Sequence, residues 1–177
     1  MPRSTTEPPP AARDVEAFIG LGANLGDPHA TLTAAFDALV ALPESTLTQR
    51  SSFYRTAPID SGGPDYLNAV ARLRTRLPAL ELLAQLQAIE RAHGRERPYR
   101  NAPRTLDLDL LLYGDEQWAT PALELPHPRA HERAFVLAPL AEIAPDLVIP
   151  GRGRVAELLA GLPDQRIERL APSRAID

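Results

Sequence analysis

Apolar and polar positions change period several times along the chain, and each change marks a new element. Ordered structure is expected to begin near Val15, where Ala17-Phe18-Ile19-Gly20-Leu21 form a short apolar run closed by Gly22, the pattern of a buried strand. Helical spacing follows. Asp27 can cap the helix, Pro28 suits its first turn, Leu32, Phe36, Leu39 and Val40 recur along one side, and Pro43 stops it. Residues 46–56, rich in Thr, Ser, Phe and Tyr, read as one strand. Residues 57–65, with Pro58, Gly62, Gly63 and Pro64, read as a loop. From Asn68 the chain alternates, with Ala69, Ala71, Leu73, Thr75 and Leu77 set against Val70, Arg72, Arg74 and Arg76. That predicts a half-exposed strand over 66–77 with its arginines outward. Leu80, Leu83, Leu86, Gln87 and Glu90 then fall close to one helical stripe between Pro78 and Gly94. An arginine-rich loop over 95–104, a strand over 105–113, a turn at Gly114-Asp115 and a Pro- and His-bearing loop over 121–133 come next. Residues 134–143 and 154–162 have the look of helices.

The order strand, helix, strand, strand, helix, strand is the split βαβ pattern. It predicts an α+β, ferredoxin-like βαββαβ core with a mainly antiparallel sheet, helices packed on one of its faces, and C-terminal additions. Residues 1–14 include three consecutive prolines, which suit neither a helix interior nor a central strand. They are expected to form a flexible tail ahead of a single domain over 15–177.

Composition narrows the function classes. The 177 residues carry 19 basic and 23 acidic side chains, a net charge of −4, and every basic residue is arginine. Mild acidity speaks against general nucleic-acid binding. The absence of cysteine excludes disulfides, thiolate metal sites and a cysteine nucleophile, and it suits a cytoplasmic address. No apolar run reaches the ~18 residues of a membrane span, and the polar, proline-rich start does not resemble a signal peptide.

The average charge conceals a local contrast. Arg91, Arg95, Arg97, Arg100 and Arg104 stand just ahead of Asp107, Asp109, Asp115 and Glu116. On a strand, Asp107 and Asp109 share one face while Leu106, Leu108 and Leu110 share the other. Two carboxylates roughly 7 Å apart repel unless a cation joins them. Magnesium typically takes one or two carboxylates plus phosphate oxygens, and guanidinium forks match phosphate. Solvated aspartates on an edge strand, ion-paired with the same arginines, would give the same pattern. Tyr66 and Asn68 share a strand face, which suits a flat polar heterocycle but also ordinary packing. Gly22-Ala23-Asn24-Leu25-Gly26 is a turn without the Gly-Lys-Ser/Thr of a Walker loop. Ser51 and Ser52 have no His/Asp pattern near them.

Six segments occur in a characteristic order: Gly22-x-Asn24-Leu25-Gly26, Ser51-Ser52-Phe53-Tyr54-Arg55-Thr56, Pro64-Asp65-Tyr66-Leu67-Asn68, Gly94-Arg95-x-Arg97, Pro103-Arg104-Thr105-Leu106-Asp107-Leu108-Asp109 and Pro126-His127. Together they resemble the 6-hydroxymethyl-7,8-dihydropterin pyrophosphokinases of folate biosynthesis, over about Ala17 to Pro150. The resemblance implies a monomeric enzyme that moves the β,γ-pyrophosphoryl group of ATP to the pterin hydroxymethyl oxygen and releases AMP. It implies that Asp107 and Asp109 hold two Mg²⁺ ions, and that Arg95 and Arg104 contact the transferred phosphates and steady developing charge. Gln87, Glu90, Arg97, Leu110, His127 and Arg133 would contact ATP. Thr56, Ala57, Pro58, Ile59, Tyr66, Asn68 and Phe135 would hold the pterin, with Tyr54 or a neighbour stacking opposite Phe135. Loops 57–65 and 95–103 would close over the substrates. The chain departs from relatives at Ala23, where many carry Ser, at Ala57, at Asn101-Ala102 in place of Trp-Gly, and at Pro128. Tyr99 is the candidate to replace the missing aromatic lid.

Without the resemblance, the aspartate pair also fits another metal-dependent phospho- or nucleotidyl transferase on the same scaffold. A non-catalytic ferredoxin-like module for RNA would want exposed aromatics and a basic sheet face. The chain has 9 aromatics and an acidic pair on the key strand. If Arg104 steadies the transition state, Arg104→Ala lowers kcat by a large factor and changes ATP affinity far less. Equal losses in both would contradict that role.

Overall fold

The computed structural model describes residues 14–57, 64–94 and 105–170. The expected tail over 1–14 therefore lies outside it except for Asp14, as do most of the two loops expected to close.

Strand β1 (Val15–Ala23) is an interior strand of the sheet, and helix α1 (Pro28–Val40) follows it. Asp27 caps α1 by accepting from the Ala30 amide at 3.1 Å, and Pro28 occupies its first turn. The expected strand over 46–56 is two pieces, β2 (Ser45–Arg50) and β3 (Tyr54–Thr56). Both pair with the long strand β4 (Tyr66–Thr75), β2 against Ala71–Thr75 and β3 against Tyr66–Asn68. Ser51 bridges the break. Its amide donates to the Val70 carbonyl and its hydroxyl accepts from the Val70 amide, each at 2.9 Å, so one residue supplies both missing ladder bonds.

Helix α2 (Ala79–Gly94) leads to the edge strand β5 (Asp107–Tyr113). A hairpin, β6 (Trp118–Ala119) and β7 (Glu124–Leu125), and a short 3-10 turn at Ala130–Glu132 precede helix α3 (Ala134–Ile143). The chain ends in a second hairpin, β8 (Val148–Ile149) and β9 (Gly153–Arg154), then helix α4 (Val155–Ala160) and strand β10 (Glu168–Arg169). The main sheet runs β10-β3-β4-β1-β5, with β2 beside β4, and all its pairings are antiparallel. This is the ferredoxin-like order, with β10 added beyond β3.

Helices cover both faces of the sheet, not one as expected. On the front face, Ala17, Ile19, Leu21, Leu73, Leu108 and Leu110 pack with Leu32, Phe36 and Leu39 of α1 and Leu82 and Leu86 of α2. On the back face, Phe18, Val70, Leu111 and Leu112 pack with Val136, Leu137 and Leu140 of α3 and Val155 of α4. That second apolar set needs its own cover, because exposing it would forfeit roughly 25 cal/mol per Å². The cover buries Val70 and leaves Arg72, Arg74 and Arg76 of its row toward solvent. Val40 and Leu80, expected on the buried stripes, are exposed, since the stripes run through Leu32, Ala35, Phe36 and Leu39 and through Ala79, Leu82 and Leu86.

Strand β5 slips phase at Leu111. Ile19 pairs with Leu110 and Phe18 with Leu112, so Leu111 is one residue extra on its strand. The bulge puts Leu111 and Leu112 together on the back face and returns Tyr113 to the front. There the buried Tyr113 hydroxyl donates to the Leu77 carbonyl at 2.6 Å, tying the end of β5 to the start of α2. Tyr113→Phe keeps the ring and orphans that carbonyl. We expect a loss of about 1–2 kcal/mol of unfolding free energy, read from the denaturant midpoint with an unchanged slope.

Candidate active site

The back face of the sheet is apolar only at one end. Past Phe18 and Val70 it becomes a cleft of about 340 Å³, walled by β4, β1 and β5 below and by the start of α3 above. Gly20 and Gly22 form its floor, directly opposite Asp109 and Asp107 of β5. Neither glycine projects a side chain into the space beside the carboxylates. At Gly22 a Cβ would stand 3.0 Å from the Asn68 side-chain nitrogen, so adding one would push against the Asn68 amide.

Asn68 is buried, and its Oδ1 accepts from the Thr56 hydroxyl at 2.9 Å. That bond fixes which end of the amide lies beside Gly22. Tyr66, on the same strand face, and Ala57 complete that side of the cleft, and Phe135, Val136 and Arg133 close the other. The Arg133 guanidinium lies 5.3 Å from the Phe135 ring centroid, a cation–π contact that holds both side chains at the mouth.

A second, wider cleft of about 520 Å³ adjoins the first. Leu83, Gln87 and Glu90 of α2, Leu108 and Leu110 of β5, and the loop from Thr120 to Pro128 line it. Asp109 lines both clefts and, among the described residues, is the one they share. Glu90 is anchored, its Oε2 accepting from the Leu108 amide at 2.7 Å. His127 is pinned by its backbone, which donates to the Leu111 carbonyl, and by Nδ1, which accepts from the Arg129 amide at 3.1 Å. Nε2 therefore carries the ring proton. Burial pulls the His127 pKa down, opposed by the Asp109 carboxylate and reinforced by Arg133.

Most of the residues nominated from sequence come together. Thr56, Ala57, Tyr66, Asn68, Phe135, Asp107 and Asp109 line the first cleft, and Gln87, Glu90, Leu110 and His127 line the second. Arg133, expected among the ATP contacts, stands on the wall of the first cleft. Pro58, Ile59, Arg95, Arg97 and Arg104 lie outside the described residues, as do Tyr99, Asn101 and Ala102. Tyr54 does not line the cleft: it is buried, and its hydroxyl donates to Glu142 of α3 at 2.8 Å. Ala23 is packed in the front core, away from the face that carries the narrow cleft. Asn24 instead ties the turn after β1 to the Pro64 carbonyl at 3.2 Å, and Gly26 provides the turn's positive φ of 65°. Sequence reasoning missed the role of Gly20. Its signal was Gly20-x-Gly22, a spacing that leaves one strand face bare.

An antiparallel α+β sheet thus carries two carboxylates on its edge strand, set between a narrow aromatic-and-amide slot and a wider polar cleft. The model of the 7,8-dihydro-6-hydroxymethylpterin-pyrophosphokinase (HPPK) family matches residues 18–145, and the chain belongs to that family. It is 46% identical over 154 residues to a 2-amino-4-hydroxy-6-hydroxymethyldihydropteridine pyrophosphokinase of Pseudomonas aeruginosa, covering 86% of this chain and 95% of the relative. A Haemophilus influenzae protein of the same name is 44% identical over 159 residues, covering 89% and 99%. Among solved structures, wild-type Plasmodium falciparum HPPK-DHPS with SDX-DHP superposes with a TM-score of 0.67 at 12% identity, over 84% of this chain. At that identity the likeness is one of fold, and this chain covers 44% of the longer one.

His127 should titrate below the ordinary 6.5 in the free protein, followed by its ring proton resonances. Because the unfolded chain takes the proton first, stability contributed by His127 falls as pH drops from 6.5 toward the folded value. Asp109→Asn removes the group holding the value up and should lower it further; an upward move would contradict the geometry.

Proposed function

We propose that this chain transfers the pyrophosphoryl group of ATP to 6-hydroxymethyl-7,8-dihydropterin, giving the pterin diphosphate and AMP in folate biosynthesis. Family membership carries the reaction class. One observation of the structure supports the assignment of substrates to clefts: Asp109 stands on the wall common to both, where a hydroxyl from one side and a phosphate from the other would meet.

The narrow cleft suits the pterin. Its flat ring fits between Phe135 and the sheet, and its edge of donors and acceptors suits Thr56, Asn68 and Tyr66. The Thr56–Asn68 bond presets the amide, so less ordering is needed when the ligand arrives. The wider cleft suits ATP, with Gln87, Glu90 and Leu110 along the nucleoside and His127 and Arg133 toward the phosphates. Neutral His127 offers its Nε2–H to a phosphate oxygen. Arg133 offers a fork of fixed charge, stiffened by Phe135.

Asp107 and Asp109 fit magnesium by their chemistry: two hard oxygen donors side by side on one strand face. Magnesium typically takes one or two carboxylates and completes its shell with phosphate oxygens and water. Magnesium held there supplies neutralisation of phosphate charge and lowers the pKa of an alcohol. The chain's own part is alignment. The hydroxymethyl oxygen gives up its proton to water and forms a bond to the β-phosphorus, the bond from that phosphorus to the α-phosphate bridging oxygen breaks, and AMP leaves with that oxygen. Arg95 and Arg104 are assigned to the transferred phosphates, and Arg97 to ATP. Pro58 and Ile59 are assigned to the pterin.

Incubation with ATP, Mg²⁺ and the hydroxymethyl-dihydropterin should yield AMP and the pterin diphosphate, resolved by anion-exchange chromatography. ADP as the nucleotide product would sink this reading. Asp109→Asn should lower kcat by about 10²–10³-fold, the usual scale for removing one charge-stabilising group.

A further inference from the structure

Helix α3 carries one wall of the narrow cleft, yet its own sequence does not fix it in place. Arg133 stands at its N-cap position and makes no side-chain cap bond. The first amides of a helix need partners, and a Ser, Thr, Asp or Asn would ordinarily provide one. Here the partner comes from 31 residues further on. The Gln165 Oε1 accepts from the Ala134 amide at 2.8 Å, and its Nε2 donates to the Glu132 carbonyl at 3.0 Å. One amide thus grips the chain on both sides of Arg133.

The other end of α3 is held from Ser52 and β3, with one further bond from the segment that carries Gln165. Glu142, in the last turn, accepts from the Ser52 amide at 2.9 Å, the Ser52 hydroxyl at 2.9 Å, the Tyr54 hydroxyl at 2.8 Å and Arg169 at 3.1 Å. Arg169 also donates to the Ser52 hydroxyl at 3.2 Å, and its strand β10 pairs with β3. Glu142 with Arg169 therefore sets the distance between α3, which carries Phe135, and β3, which carries Thr56. Both side chains line the narrow cleft. Gln165 and Arg169 both lie beyond residues 18–145, the stretch that matches the family.

We infer that Gln165 and Arg169 are positioning residues: the C-terminal segment clamps α3 at both ends and so holds Arg133 and Phe135 against the pterin slot. Neither touches the cleft, and both act through α3. This rests on the pyrophosphokinase reading, and it gives the C-terminal segment a share in pterin recognition and none in nucleoside recognition, whose lining comes from α2, β5 and the 120–128 loop.

The test is steady-state kinetics of the full chain with Gln165→Leu, which keeps the bulk and removes both hydrogen bonds. The KM for the pterin should rise roughly three- to tenfold, the scale of one or two net hydrogen bonds, and the KM for ATP, which has only Arg133 among its proposed contacts at this helix, should rise clearly less. Exchange of the Ala134 amide with solvent deuterium should quicken in the same variant. Gln165→Glu keeps an acceptor for Ala134 at the positive end of the helix and should recover most of the pterin affinity. Arg169→Leu should repeat the selective loss. Equal rises in both KM values, or no rise in a variant whose Ala134 exchange has quickened, would overturn the inference. Unchanged Ala134 exchange in Gln165→Leu would overturn it as well. A parent chain that forms no AMP would overturn the pyrophosphokinase reading and this inference together, whereas an active parent with an unselective variant overturns the inference alone.

Discussion

The back face of the sheet must be dry at one end and wet at the other, and the change happens within two residues of β1. Phe18 is core and Gly20 is floor. A helix laid over the whole face would seal the cleft, and no helix at all would leave Phe18, Val70, Leu111 and Leu112 in water. Helix α3 is placed at the boundary. Its Leu137 and Leu140 complete the back core, and its first turn overhangs the polar end with Phe135 and Val136. Apolar burial therefore does two things here. It stabilises the sheet, and it delivers an aromatic ring to a fixed height above two glycines and two aspartates.

Fixed height requires that α3 not slide, and packing alone is a weak guarantee because apolar contacts have little directionality. Hydrogen bonds with direction do that work. Glu142 collects four donors at one end, and Gln165 spans the other. Burial and the nearby Glu142 carboxylate push the Tyr54 hydroxyl well above its usual pKa, so it stays a donor across the physiological range. The cleft is thus framed by polar ties outside it, and within it Thr56 orients Asn68.

Much of the core and of the candidate site was legible in the sequence because both were written in period. Alternation along 66–77 and 105–110 identified Asn68 with Tyr66, and Asp107 with Asp109, as pairs sharing a face. Helical spacing placed α1 and α2, while Val40 and Leu80 misled because a residue at the margin of a stripe is apolar by composition and exposed by angle. Two kinds of information were not periodic. Ser51 interrupts a strand by using its hydroxyl as if it were a backbone carbonyl, and no window of hydropathy reveals that. The second helical layer, and the ties of Gln165 and Arg169, depend on contacts between residues far apart in the chain. Tyr54 was read as a ring for stacking because its phenol partner, Glu142, is 88 positions away.

The bulge at Leu111 gives the molecule something like a reading frame in space. Upstream of it, even-numbered leucines of β5 face α1 and α2 and odd-numbered aspartates face the cleft; downstream, Tyr113 takes the front although its number is odd. The extra residue lets the two halves of one strand obey different parities. Loss of a single residue there would shift one half against the other. Either the carboxylates would turn toward the leucine core, or the phenol would leave the carbonyl of Leu77. Length at this point is thus as much a part of the site as the identity of any side chain in it, and substitution could not repair its loss.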